Sequence, residues 1–143
     1  MTALAQDRKI EWRPGNELEY PVASGALIYG GALCALDLQG NLIPASDTAG
    51  LLLAGVATDR FDNSLGAAGE LQAVVRRRGV IRCAFATTAT QAVVGKAAYA
   101  VDDQTVALAA GSTGKVYVGV ITGVIDGSNV FVDLERAGVY PTA

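Results

Sequence analysis

GGALCALDLQGNLIPASDTAGLLLAGV, residues 30–56, is the stretch from which the fold can be read. Small and apolar residues lead to Asp37, a polar turn follows at Gln39-Gly40-Asn41, and an apolar run over residues 51–57 is interrupted by Gly55. Two short apolar segments joined by three residues, with a glycine available for positive φ, predict a β-hairpin. A glycine inside an apolar run predicts a bulge or a second backbone in close contact. The chain writes this outline twice, the second time as GKAAYAVDDQTVALAAGSTGKVYVGV over residues 95–120. Gly30, Ala35 and Asp37 match Gly95, Ala100 and Asp102 at an offset of 65 (95 − 30). Gly50, Gly55 and Val56 match Gly114, Gly119 and Val120 at an offset of 64 (119 − 55), and Asp62 and Asp126 are again 64 apart. The one-residue slip falls in the polar turn, where a change of length is absorbed most easily. Two related β-units making a pseudo-symmetric barrel or sandwich are expected.

Outward from this core, the pattern stays that of strands. Leu27-Ile28-Tyr29 precedes the Gly30-Gly31 break, and the Asp-, Asn- and Gly-rich residues 59–69 read as a loop. Residues 71–85 predict one bent strand, or a hairpin around Arg78-Gly79. Residues 116–125 are apolar on both faces, Val116, Val118, Val120 and Val124 on one and Tyr117, Ile121 and Ile125 on the other, so this strand should be central. The turn Asp126-Gly127-Ser128-Asn129 leads to a closing strand over residues 130–134. No segment keeps a helical period for three turns. The class is all-β: a compact β-barrel or β-tulip-like domain over residues 21–136, with an extended N-terminal arm over residues 1–20 and a C-terminal tail over residues 137–143.

The arm differs from the rest. DRKIEWRPGNELEYP mixes both signs of charge with two prolines, yet carries Ile10, Trp12, Leu18 and Tyr20. Large apolar groups on an extended polar segment need cover. Either the chain's own body supplies it, or a neighbouring molecule does by strand addition or by pockets. The second reading makes Ile10, Trp12, Leu18 and Tyr20 the candidate partner-binding residues.

With 143 residues the chain suits one domain and can hide roughly 70% of its unfolded surface. A net charge of −3 argues against a dedicated nucleic-acid binder, which needs clustered cations. The run Arg76-Arg77-Arg78 does not make one basic surface on a strand, where successive side chains face opposite ways. Salt links to acidic groups of another subunit suit these three guanidiniums better. The first residues reach charged Asp7, Arg8 and Lys9 before any apolar core forms, so they are not a secretory signal. The most apolar run, residues 51–57, is far below the roughly 18 residues of a membrane helix. Synthesis in a cytoplasm, with no membrane partner, is expected. Cys34 and Cys83 read as buried free thiols filling apolar space.

Signals for chemistry are few. There is no histidine, which removes Ser-His-Asp and Cys-His catalysis and the commonest metal ligand together. No phosphate-cradling glycine motif occurs. Asp37, Asp102 and Asp103 lie at turns, Asp59 and Asp62 in a loop, and Asp126 and Asp133 near strand ends. Asp favours such places because its carboxylate accepts from nearby backbone N–H groups. No catalytic residue, metal ligand or cofactor is assigned.

In VASGALIYGGALCALDLQGNLIPA, AGLLLAGVATDRFDNSLGAAGE, VVRRRGVIRCAF and VGKAAYAVDDQTVAL, together spanning about residues 20–135, the chain resembles the capsid decoration (cement) proteins of tailed bacteriophages. The resemblance is strongest in GKAAYAVDDQTV and the glycine-rich gap leading to GKVYVG. It implies a non-enzymatic virion protein, a β-barrel or β-tulip seated on the outside of the head. It also implies a homo-oligomer, often a trimer, whose arm pairs with the major capsid protein. A small ligand- or carbohydrate-binding β-domain is the alternative, though three Phe, one Trp and five Tyr supply few aromatic platforms. A glycosidase using two of the loop acids would need a matched pair of carboxyls.

Overall fold

Backbone hydrogen bonding organises the chain into short strands punctuated by glycine turns. The computed structural model describes residues 3–10 and 15–134, so Trp12 and the expected tail lie outside the described residues. The strands are β1 (Glu17–Pro21), β2 (Leu27–Ile28), β3 (Leu33–Leu36), β4 (Leu42–Pro44), β5 (Leu52–Ala57) and β6 (Phe61–Asp62). They continue as β7 (Gln72–Arg76), β8 (Val80–Phe85), β9 (Ala97–Ala100), β10 (Thr105–Ala107), β11 (Tyr117–Asp126) and β12 (Asn129–Asp133). Two single 3-10 turns, Gln91–Val93 and Ala109–Gly111, are the helical content of the described residues. The fold is all-β.

The strands fall into two units of the same topology. In the first, the order across the sheet is β1-β7-β5-β3-β4; in the second, β8-β12-β11-β9-β10 closes on itself as a barrel. Closure of the second is a parallel contact, Thr105 opposite Ala84 and Val106 opposite Phe85. The first is drawn round to the same point, where one parallel bridge joins Val22 to Leu42. Ala23 N–H donates to Leu42 O at 3.0 Å, as Ala86 N–H does to Val106 O at 3.0 Å.

The duplication is legible bond by bond. Gly31 N donates to Ala57 O and Gly95 N to Ile121 O; Ala57 N donates to Ala32 O and Ile121 N to Lys96 O. Arg77 N donates to Asn16 O and Leu134 N to Gly79 O; Val22 N donates to Leu71 O and Phe85 N to Ser128 O. Equivalent residues are therefore 64 apart through the middle strands (95 − 31) and 57 apart in the last strand (134 − 77). The difference of seven places an insertion between Asp62 and Gln72, where the second unit has only the tight turn after Asp126.

These bonds correct the register read from sequence. Gly95 answers to Gly31, not Gly30, and both adopt positive φ, +88° and +82°. Ala35 lies opposite Leu53 as Tyr99 lies opposite Tyr117, so Ala35 answers to Tyr99 and not Ala100. The slip of 65 arose from chance identities and from the turn, where the capping aspartate has moved by one: Asp37 Oδ1 accepts from Gln39 N and Asn41 N, and Asp102 Oδ1 from Gln104 N and Thr105 N.

Each unit carries the same bulge. On β5 the pairing jumps from Leu53 opposite Ala35 to Gly55 opposite Cys34, and on β11 from Tyr117 opposite Tyr99 to Gly119 opposite Ala98. The residues skipped, Ala54 and Val118, are buried, and a bulge of this kind re-aims the side chains after it. That is why Val118 and Ile121 both face the interior, fully buried, while Val120 is half-exposed, unlike the strict alternation expected for this strand. β11 is central, as expected, between β9 and β12.

Two further expectations need amending. β7 and β8 do not pair: β7 lies between β1 and β5, β8 between β12 and β10, so Arg77-Arg78-Gly79 is the crossing from one unit to the other and not a hairpin. β1 begins at Glu17, so the last residues counted in the arm form the edge strand of the first unit, paired with β7 from Glu17 opposite Arg76 to Pro21 opposite Gln72.

The two interiors correspond position by position. Val22, Cys34, Leu42, Ala54, Ala57, Ala73 and Val75 fill the first. Phe85, Ala98, Val106, Val118, Ile121, Val130 and Val132 fill the second. The opposite face of β3 and β5 is also apolar, and Leu33, Ala35, Ala45, Leu51 and Leu53 share the second unit's core cluster. Each buried leucine there contributes on the order of 2 kcal/mol relative to exposure. Polar bonds fix the angle of this joint. Leu33 N donates to Asp103 O at 2.7 Å, and the Asp47 carboxylate accepts from Gly114 N at 2.6 Å and from Thr113 N at 3.0 Å. Gly114 has to be glycine here, because a Cβ would sit 2.6 Å from Thr48 N.

Candidate binding surface

Residues 3–10 belong to no strand and are exposed throughout, with Leu4 70% and Ile10 52% accessible. They shape a shallow concavity lined by Leu4, Ala5, Gln6, Asp7, Arg8 and Ile10. Ile10 thus stands where a partner can reach it. Leu18 and Tyr20 are placed differently. They alternate with exposed Glu17 and Glu19, are half-buried on the inward face of β1, and Tyr20 packs against the first unit's own core. Of the four apolar residues taken from the arm, the structure leaves Ile10 open, turns Leu18 and Tyr20 inward, and does not describe Trp12.

The three arginines are also separated. Arg76 ends β7 and its Nη2 meets Glu17 Oε1 at 3.4 Å. Both side chains are largely exposed, so the pair contributes no more than about 1 kcal/mol. Arg77 is half-buried at the crossing and Arg78 is exposed. Arg76 therefore has an acidic partner within its own chain.

The carboxylates behave as turn and joint builders. Asp62 Oδ1 accepts from Ser64 N, and Asp126 Oδ1 from Ser128 N. Hydrogen bonds with Ser64 hold the Asp62 carboxyl below its ordinary range, and the Ser128 N–H does the same for Asp126. Asp47 is lowered by the Thr113 and Gly114 N–H groups, with smaller help from the Thr113 hydroxyl and Lys115. Among the described residues no three His, Cys, Asp or Glu side chains gather as a metal cluster. Burial pushes both thiols, Cys34 and Cys83, up to about 12.

One cleft of about 380 Å³ lies along the joint, lined by Tyr29, Gly30, Gly31, Ala32, Asp103 and Gln104. Tyr29 is exposed, and the Arg60 guanidinium sits 5.5 Å from its ring centroid. Sequence reasoning missed two residues that matter to this architecture. Asn63 is buried in the inserted loop, and its amide donates to Val22 O, Ala23 O and Ala67 O at 3.3, 3.0 and 2.9 Å. Asp47 reaches across the joint. Both read in sequence as ordinary turn residues, and only the chain's long-range path gives them partners 40 or more positions away.

By its architecture this is an all-β protein of two five-stranded units of one topology fused face to end, the second closed as a barrel and the first a curved sheet joined at its ends by a single bridge. No protein-family model matches the chain, and no curated protein sequence matches it. Among solved structures it is similar to the N base of the head fiber gp8.5 of bacteriophage phi29, with a TM-score of 0.47 and 12% sequence identity, over 87% of this chain and 99% of that one.

Proposed function

We propose that this protein is a structural component of a phage virion. It sits on the outer surface of the major capsid protein lattice as a homo-oligomer, a trimer in the reading the sequence resemblance supplies, and bridges neighbouring capsid subunits. A clamp of this kind stabilises a shell by binding the assembled lattice better than separated subunits. Many copies acting together turn modest contacts into lasting attachment. Such a protein needs a stiff body, open edges and an adaptable segment, and it needs no reaction centre.

The observation that carries this reading is the N-terminal segment. Leu4 and Ile10 are held out in water on residues that join no strand. Apolar groups displayed in this way fit a docking role better than a structural one. The cleft beside Tyr29 gives the carbohydrate-binding alternative little support, because Arg60 already covers one face of that ring.

Removal of residues 1–15 tests the proposal. The cut spares Asn16, whose carbonyl accepts from Arg77 N, and all of β1. The truncated protein is expected to keep its far-UV circular dichroism and melting temperature but to lose co-sedimentation with empty heads by at least about tenfold, a loss worth ~1.4 kcal/mol. Undiminished binding to heads would overturn the role of the arm.

A further inference from the structure

The edge strand of the first unit is left open by its own sequence. In the second unit the barrel closes where Ala84 N donates to Gln104 O and Ala86 N to Val106 O. The latter bond recurs in the first unit as Ala23 N to Leu42 O, but the former has no equivalent there. Val22 answers to Phe85 through their bonds to Leu71 and Ser128, so Pro21 stands in the place of Ala84 and has no N–H to give. One bridge, Val22 to Leu42, therefore holds β1 to β4. Along the rest of β1, Asn16 accepts from Arg77 N and Val22 N donates to Leu71 O, so the antiparallel ladder to β7 uses Asn16, Leu18, Tyr20 and Val22. The main-chain groups of Glu17 and Glu19 point the other way, where the sheet has no further strand among the described residues. Side chains repeat the difference. Ile81 of β8 packs on the second unit's core, whereas Leu18, at the same place on β1, belongs to neither core cluster.

Charge selects what can add to this edge. Glu17 and Glu19 are exposed on its outer face, and two β1 edges laid together would bring glutamate against glutamate, which is destabilising. What fits is a strand with a cation on its outer face and an apolar group on its inner one. The chain carries such a segment in Arg8-Lys9-Ile10, which is exposed and joins no strand. An antiparallel addition that sets Lys9 beside Glu19 brings Ile10 to Leu18 and Arg8 to Tyr20, because alternate side chains share a face. A tight turn at Pro14-Gly15 back onto its own β1 would set Ile10 opposite Glu19 and Lys9 opposite Tyr20, each with the wrong partner.

We propose that copies of this chain associate by arm exchange: residues 8–10 of one copy add as a strand to the free edge of β1 in another. Main-chain bonds to Glu19 hold the strand, the Lys9–Glu19 pair fixes its register, and Ile10 covers Leu18. Donor segment and acceptor edge are different surfaces, so the contact is heterologous and each copy gives one and receives one. Ile10 then serves the contact between copies, and Leu4 stays free for the shell. The assembly does not depend on binding to heads and is tested without them.

In sedimentation velocity the full chain is expected to form assemblies that grow with concentration. Glu19→Pro removes the N–H of the open edge and leaves the bonds of Leu18 and Tyr20 to β7 in place. It is expected to keep the far-UV circular dichroism and to weaken self-association at least about tenfold. Glu19→Lys and Lys9→Glu are each expected to weaken it too, and the variant carrying both to restore it, a rescue that does not depend on how well the proline is tolerated. A wild-type chain that stays monomeric, assemblies untouched by Glu19→Pro, or a double variant no better than its parents would overturn the proposal. A monomer whose co-sedimentation with empty heads is abolished by Glu19→Pro would give the edge to a capsid strand instead. Assemblies that behave as expected in a chain that ignores heads would uphold arm exchange and fail the proposed virion role.

Discussion

Gly55 and Gly119 show how a single missing side chain sets the geometry of each unit. A Cβ on Gly55 would collide with the carbonyl of Arg76, and one on Gly119 with the carbonyl of Asp133. In both cases the neighbour is a strand backbone in a ladder and has no rotamer by which to yield. Gly55 also adopts φ +148°, within the range that side chains rarely enter. Gly119→Ala is expected to lower stability by about 2–3 kcal/mol, in the range of overpacked cores, and Gly55→Ala by at least as much. Urea unfolding followed by circular dichroism measures both. A loss below about 0.5 kcal/mol in either would mean that β5 and β11 do not approach their neighbours this closely. The sequence exposed these two residues because a glycine within Leu, Ala and Val has few other uses.

Strands and loops were legible in the sequence to differing degrees, for physical reasons. The match between β3–β5 and β9–β11 was visible because bulge and turn demand glycine at fixed places. The matches of β1 with β8 and of β7 with β12 were not. ELEYP and VIRCA share no residue, and QAVVR shares only Val75 with NVFVD, as Val132. An edge or partner strand needs only apolar groups on its inward positions, while the backbone fixes its register. The same reasoning explains why residues 17–20 read as arm: Glu17 and Glu19 face water, and only Leu18 and Tyr20 report burial. The inserted loop was legible as loop but not as structure. Asn63 is its anchor, closing the first unit where Val22 and Ala23 pass. Asn63→Ala leaves the carbonyls of Val22 and Ala23 without this donor in a buried setting. It is expected to cost about 1–3 kcal/mol, measured as a lowered urea midpoint at unchanged slope. An unchanged midpoint would show that the loop is not tied to the first unit through this side chain.

Across the whole molecule, the joint decides whether the two units act as one body. Leu33, Leu51 and Leu53 are carried by the first unit but lie in the second unit's core cluster, so the second unit's core cannot be kept if the two units part. A single cooperative thermal transition is expected, with calorimetric and van't Hoff enthalpies equal. Asp47 makes this coupling sensitive to acid. Its carboxyl lies below the ordinary 3.8 because the Thr113 and Gly114 N–H groups bind the charged form. A group whose folded pKa is depressed contributes stability above its unfolded pKa and loses it as pH falls through the folded value. Asp62 and Asp126 shift the same way but remain in any Asp47 variant, so they cancel in the comparison. At neutral pH, Asp47→Asn is expected to destabilise the protein by about 1 kcal/mol, the value of charge-assisted bonds discounted for an exposed carboxylate. That gap should close as pH falls below about 4, where the wild-type carboxylate takes up its proton. Melting curves of both proteins from pH 7 down to about pH 2 test this. A gap that persists unchanged in acid would remove the charge from the joint, and two separate transitions in the wild type would mean that the units are merely tethered. A protein asked to brace a shell gains from the single transition, because force applied at one unit is then resisted by the core of both.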